Sequence, residues 1–515
     1  MRRSLVLAAA VSLSAACSAS PAPQAAVPST PPDEAVRTSS VVESVYADLS
    51  AQDRVRQMLM PPVGSLDPAA ARALVRQTRP GGLIIMAPGT AAQWARVVKA
   101  AQVQARALGL PPLLIGADQE NGTLVRRMRM PVTLPGAMVL GAAVAGDRDT
   151  GQRAAQQTAD LTGRWLAAGG VNIDFAPVAD VNVRPSNPVI GIRSPGAFPG
   201  VVGDAVAAQV VGFDSANVLS TAKHFPGHGD TATDSHLGLA EVTHSRAVMN
   251  RVDLPPFRDA IEAGVPAVMV AHVTVPAVDD RPATVSKKIV TGLLRQDMGF
   301  DGLVVTDSLG MGAVADRPDL YRDVIAAGSD VLLMPNDPGA AVAQVRRAAG
   351  GSVLSNARVR EAVVHVLEAK ERLGLLTSKP RYPAAPSKKS TRKIARATAA
   401  AGITVLGACR NLVARGATVV GAGPVAQGVR QGLRAAGVGS GPTRVVVSSG
   451  SPGAADVWVA TGSPYSALRA PARQRVLTYG DVRASGWAAG QAIAGQVDRL
   501  GGLPVRGPKA CARIR

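Results

Sequence analysis

Ala222-Lys223-His224-Phe225-Pro226-Gly227-His228-Gly229-Asp230-Thr231-Ala232-Thr233-Asp234-Ser235-His236 decides how the rest of the chain is read. Three of the six histidines, a lysine and two aspartates fall within this one stretch. The residues just before it, Val218-Leu219-Ser220-Thr221-Ala222, are apolar or β-prone, as a buried strand requires. Pro226, Gly227, Gly229 and the Thr/Asp cluster forbid a regular element and predict a long, mobile loop. Barrel enzymes present their catalytic groups in this way, on buried strands that end in charge and open into Gly-rich loops.

Two chemistries fit the stretch. His228, Asp230 and His236 are metal-ligand types, but glycines separate them and no HExxH helix fixes them on one face. In the preferred reading Asp234 orients the imidazole of His236 and stabilises its charged form, while the imidazole moves protons near neutral pH. The i, i+2 spacing points both side chains to one side of an extended backbone. That reading requires neither a metal nor a cofactor.

Lys223 to Asp230 followed by Asp234-Ser235-His236 resembles the signature of glycoside hydrolase family 3 β-N-acetylglucosaminidases, of the bacterial lipoprotein type. The resemblance implies a retaining enzyme in which His236 is general acid/base, Asp234 is its partner, and Lys223 and His224 bind substrate. It also implies that the remaining motif pieces lie elsewhere in the chain.

They do. Between Gln57 and Pro335 eight short apolar runs alternate with helix-like segments such as Ala91–Leu108 and Thr150–Ala168. The runs are Gln57–Pro61, Gly82–Met86, Pro112–Asp118, Val171–Pro177, Val218–Phe225, Ala267–Val273, Gly302–Asp307 and Asp330–Pro335. Fully apolar rather than alternating, they predict a parallel sheet covered on both sides, closed as a (β/α)8 barrel of the TIM type. The third run ends in Asp118-Gln119-Glu120-Asn121-Gly122, with Arg126 further on. The resemblance gives Asp118 and Arg126 to sugar hydroxyls, with Asn121 in place of the first glycine of the family's turn. Asn tolerates positive φ, so the turn survives. The alternative is an N-cap at Asp118 and a surface arginine.

After the fourth run, Asp180 reads as a holder of loop backbone, and Arg193 matches a sugar-contacting arginine whose fork takes two oxygens at once. The seventh run closes on Asp307, which the resemblance makes the nucleophile of a glycosyl-enzyme intermediate. A histidine donor is the exception among such enzymes, and Glu241 is the nearby glutamate that competes with His236 for the role.

The amino terminus reads Met1-Arg2-Arg3, an apolar run from Leu5 to Ala16, then Cys17: an export signal, too short to span a membrane. Cys17 after Ser14-Ala15-Ala16 resembles a lipoprotein cleavage site with a lipidated cysteine. Ser14 replaces the usual leucine, which leaves ordinary cleavage near Ala19 to Ala25, and a secreted protein, as the alternative. The expected organisation is signal 1–17, Ala/Pro/Ser-rich linker 18–40, catalytic barrel 41–376, Pro-containing linker 377–390 and a smaller α/β sandwich domain 391–515.

In the last of these, Gly402–Leu406, Ala417–Val420, Thr443–Val447, Val457–Thr461 and Arg475–Leu477 read as strands. Gly421-Ala422-Gly423-Pro424 lacks a full dinucleotide fingerprint and reads as a tight βα turn. Cys409 and Cys511 are expected to pair, because an exported protein meets an oxidising environment.

The net charge of +19 invites a nucleic-acid reading, but the basic residues are dispersed and only 3% of residues are aromatic. An anionic cell envelope is the simpler partner. Together these features predict an exported exo-β-N-acetylglucosaminidase acting on GlcNAc-containing peptidoglycan fragments. A phosphorylase on the same scaffold and a non-catalytic wall-binding protein are the alternatives.

Overall fold

In the computed structural model, residues 38–377 and 382–514 are described. The expected export signal, Cys17 and nearly all of the expected 18–40 linker lie outside them.

Apolar runs that bury both faces need parallel neighbours, and the eight runs find them. The strands are β1 (Leu59–Met60, continued after Pro61 by Pro62–Val63), β2 (Gly82–Ile85), β3 (Leu114–Ala117), β4 (Ile173–Asp174), β5 (Leu219–Phe225), β6 (Ala267–Val270), β7 (Leu303–Thr306) and β8 (Leu332–Leu333). β1 to β7 pair in chain order and in parallel. Leu59 pairs with Leu332 and Val305 bridges to Val331, which brings β8 between β7 and β1 and closes the ring.

Met60, Ile84, Leu114, Ile173, Leu219, Met269, Val305 and Leu333, one from each strand, share a single buried cluster. That cluster is the barrel interior, and Val366 and Leu373 of the last barrel helix join it. Where β7 leads to β8, buried Asp330 accepts from Arg295 at 2.7 Å and from Arg358, and lies 3.1 Å from His365 Nδ1. These cations hold its carboxyl, which burial alone would push up, well below the usual carboxylate range.

Two of the expected boundaries shift. Ser39 caps a helix that already begins at Ser40, and Ser387 caps the helix Lys388–Gly402, which begins inside the expected 377–390 linker. In both cases a serine side chain accepts from the first-turn backbone and starts the helix earlier than apolar content suggests.

The second sheet contains β9 (Thr404–Gly407), β10 (Ala417–Val420), β11 (Thr443–Ser448), β12 (Val457–Ala460) and β13 (Gln474–Leu477), in the order β9-β13-β12-β11-β10. Only β9 runs antiparallel to its neighbour. It packs on the barrel through a shared core: Met138, Val139 and Ala142 of the helix Ala137–Gly146 cluster with Leu406, Trp458 and Leu477. Ser39 to Arg515 is accordingly one compact unit. Cys409 and Cys511 form a disulfide with a Cα–Cα separation of 5.5 Å. The Gly421–Pro424 turn joins β10 to the helix Gly423–Ala435, with φ of 131° at Gly421 and 84° at Gly423.

Candidate active site

β5 ends in Lys223, His224 and Phe225, and its last residues carry charge into the barrel mouth. Lys223 Nζ donates to Asp118 Oδ1 at 3.0 Å and to Glu120 Oε1 at 2.8 Å. Glu120 in turn accepts the two-pronged guanidinium of Arg193, at 2.8 Å from Nε and 2.7 Å from Nη2. Burial pushes the Glu120 carboxyl up, but Arg193 and Lys223 pull it far below the carboxylate range. Burial also pulls the Lys223 ammonium down, and Glu120 and Asp118 raise it above its ordinary value. Asp118, Glu120, Arg193 and Lys223 form one ion-paired floor of alternating acidic and basic groups.

Asp180, fully buried, holds the next layer. Its carboxylate takes the backbone N–H of His224 at 3.2 Å and of His228 at 2.7 Å, and lies 2.7 Å from His224 Nδ1. His224 Nε2 then faces Arg193 Nη2 at 3.3 Å. A guanidinium can only donate, so that nitrogen accepts and Nδ1–H points to Asp180. The peptides Lys223–His224 and Phe225–Pro226 are both cis.

Asp307 follows β7 and is half-buried, with the N–H of Ser308 donated to its Oδ1 at 2.7 Å. Burial pushes its carboxyl up, while the neighbouring His224 and His272 rings, the Ser308 N–H and Lys223 hold it below the usual range. It is a carboxylate at neutral pH. His236 lies on the loop after β5, exposed, its Nδ1 2.7 Å from Asp234 Oδ1, and the same oxygen accepts the His236 N–H at 2.9 Å. Its Nε2 has no protein partner among the described residues. The carbonyl of His236 accepts the N–H of Gly312, so this loop is tied to the segment after Asp307.

The loop's other two candidate ligands, His228 and Asp230, have structural partners. His228 sits between the hydroxyls of Thr231 at 2.6 Å and Ser235 at 2.9 Å. Asp230 accepts from Thr243 Oγ1 at 2.6 Å and from Arg184. Among the described residues no group of three or more His, Cys, Asp or Glu is placed to hold a metal ion. Glu241 is exposed on the short strand Ala240–Glu241.

Arg126 is the site candidate that the fold does not bring to the others. It is exposed, donates to Thr133 at 2.8 Å and faces the second domain. The hairpin 119–126 carries a register shift between Gln119 and Asn121, with Asn121 left-handed at φ 65°. Arg127, next in sequence, is the more enclosed arginine, its Nε buried without a hydrogen-bond partner among the described residues.

Three groups escape sequence reasoning. Glu120 binds Arg193 from 73 positions away. Asp174, at the end of β4, takes the Gln119 N–H at 3.0 Å, and burial raises its carboxyl well above the ordinary value. His272 stands behind Asp307, its Nε2 2.9 Å from the Ser308 carbonyl. An isolated histidine inside the apolar run Ala267–Val273 was the one signal for the last of these.

A closed parallel barrel that gathers an ionised carboxylate, an Asp–His pair and a polar, charged floor at its strand ends has the parts of a glycoside hydrolase. The chain belongs to glycosyl hydrolase family 3, whose N-terminal domain matches residues 50–369. It is 42% identical over 241 residues to β-hexosaminidase A of Pseudoalteromonas piscicida, covering 44% of this chain and 40% of that protein. It is 36% identical over 293 residues to a β-hexosaminidase of Alkalilimnicola ehrlichii, covering 56% of this chain and 83% of that one. The structure of a family 3 β-N-acetylglucosaminidase from a Paenibacillus strain superposes with a TM-score of 0.77 at 29% identity, covering 89% of this chain and 99% of the other.

Proposed function

We propose that this protein is a retaining exo-β-N-acetylglucosaminidase that removes terminal, non-reducing GlcNAc from peptidoglycan fragments. The observation that carries the mechanism is the 2.7 Å contact between Asp234 and His236 Nδ1, which leaves Nε2 as the group free to exchange a proton. The relatives' names support the sugar, and the charged floor supports a short, polar binding site rather than a long stacking groove.

In the first step an Asp307 oxygen attacks the anomeric carbon, and His236 Nε2–H gives its proton to the departing oxygen as the glycosidic bond breaks. In the second step His236 Nε2 takes a proton from water, the water oxygen attacks the same carbon, and the ester to Asp307 breaks. Asp234 stabilises the imidazolium that enters the first step and is re-formed in the second. Lys223, Asp118, Arg193 and His224 take sugar hydroxyls. Arg126 is proposed to have no contact with the sugar held at this floor.

The protein is exported and held at the membrane through Cys17, with secretion after ordinary cleavage as the alternative. The basic surface faces the anionic envelope. Turnover of a chromogenic β-N-acetylglucosaminide, beside the β-glucoside and with and without phosphate, tests the reading. Release of free GlcNAc, with the N-acetyl sugar preferred and no effect of phosphate or EDTA, is expected. Sugar 1-phosphate among the products would assign a phosphorylase instead, and zinc-restored loss with EDTA would return the metal reading of His228, Asp230 and His236.

A further inference from the structure

A cleft of about 660 Å3 opens between the barrel and the second domain, apart from the residues of the reaction. Five cations from three separate parts of the chain line it: Arg126 of the hairpin, Lys388, Arg392 and Arg396 of one helix, and Arg483 of another. Among the described residues none of them is paired with a carboxylate. The partners they do have are neutral: Arg126 holds Thr133, Arg483 holds Gln427, and Arg396 lies 4.6 Å over the ring of Trp487.

The single carboxylate of the lining, Asp481, accepts the N–H of Val425 at 3.2 Å and so caps a helix start. Lys388, Arg392 and Arg396 recur every fourth residue on one helix face, where like charges repel. Burial and the charge of Arg392 both pull the Arg396 guanidinium below its ordinary value. Three helices, Lys388–Gly402, Gly423–Ala435 and Arg483–Ile493, turn their first residues to the same space, adding the positive ends of their dipoles.

A solvated basic face would spread such charges over a convex surface. Here they converge on a concavity with one flat aromatic wall, and among the described residues no ion pair neutralises them. We propose that this cleft binds an anion carrying two or more phosphate groups. Guanidinium forks take phosphate oxygens in pairs, and helix starts favour phosphate. The spread of five cations across the cleft matches a ligand with several charges rather than one. The proposal is independent of the glycosidase reading.

Isothermal titration of the full-length protein with inorganic tripolyphosphate, at about 0.15 M salt where weak surface attraction is screened, tests it, with citrate as the carboxylate arm. Saturable binding, tighter than that of citrate, is expected. It should weaken roughly tenfold or more in Lys388→Gln/Arg392→Gln, since each lost charge-assisted contact counts. Both side chains are exposed, so the variant keeps the fold, and turnover of the chromogenic N-acetylglucosaminide should stay unchanged. Absence of saturable binding, or equal binding by the variant, would overturn the site. Citrate binding as tightly as tripolyphosphate would overturn the phosphate class.

Discussion

The amide of Gly312 donates to the carbonyl oxygen of His236 at 3.2 Å, joining the loop of the proposed acid/base to the segment that follows the proposed nucleophile. A Cβ at position 312 would stand 3.1 Å from that oxygen and 3.2 Å from the carbonyl of Leu237. The close approach of two backbones thus fixes where the exposed imidazole can sit. Gly312→Val should push the loop away and lower kcat by roughly tenfold or more, because misplacement of about 1 Å is enough to do so. Thermal unfolding should barely change. Unaltered kcat would mean that this contact does not position His236.

Loss of the proton donor should be visible in the leaving group. His236→Ala should slow substrates with poorly acidic leaving groups by roughly a hundredfold or more, and activated aryl glycosides far less in the glycosylation step. Asp234→Asn should give a milder version of the same pattern. Equal losses across the leaving-group series would move the role to another acid, with Glu241 first in line.

Lys370 is a buried lysine with one neutral partner, Gln57 Oε1 at 2.6 Å, and burial pulls its ammonium down to about 7. The unfolded chain holds that proton up to about pH 10. Between pH 7 and 10 the unfolded state therefore binds more protons than the folded one, so stability from this group rises with pH across that window and is lowest below it. Lys370→Met/Gln57→Leu removes both partners and should stabilise the protein at pH 6 to 7 by on the order of 1–3 kcal/mol. The gain should shrink toward pH 9.5. A gain independent of pH, or a loss of stability at pH 7, would contradict this account of Lys370.

The disulfide joins positions 102 residues apart and ties the carboxy-terminal tail to β9, where the Cys511 N–H also meets the Val405 carbonyl at 2.8 Å. By the chain-entropy argument Cys409→Ser should cost roughly 2–4 kcal/mol of stability. A matching fall in thermal midpoint when the wild type is reduced would support the bridge. Two alkylatable thiols in the unreduced protein would rule it out.

The barrel was legible because its strands are buried on both faces and so read as unbroken apolar runs. Their lengths were less so: Pro61 interrupts the first strand, and β4 and β8 shrink to two residues each. The Asp234–His236 pair was legible because its spacing is local. The Glu120 bridge to Arg193 was not, since only folding brings residues 73 positions apart together. Nor could an offset in sequence tell Arg126 from Arg127, because the register shift in the hairpin decides which of them is enclosed. The basic cleft was hidden in the same way: Arg126 and Arg483 are far from 388–396 in sequence, and the charge looked dispersed.

The central claim is that Asp307 forms a covalent bond to the sugar. Peptide mapping by mass spectrometry of the His236→Ala variant, quenched during turnover of an activated aryl β-N-acetylglucosaminide, tests it most directly. In that variant formation of the intermediate is fast and its hydrolysis slow, so the intermediate should accumulate. The account predicts an N-acetylglucosaminyl ester on the peptide containing Asp307, absent from Asp307→Asn. No adduct on any peptide, or an adduct on another carboxylate, would contradict it.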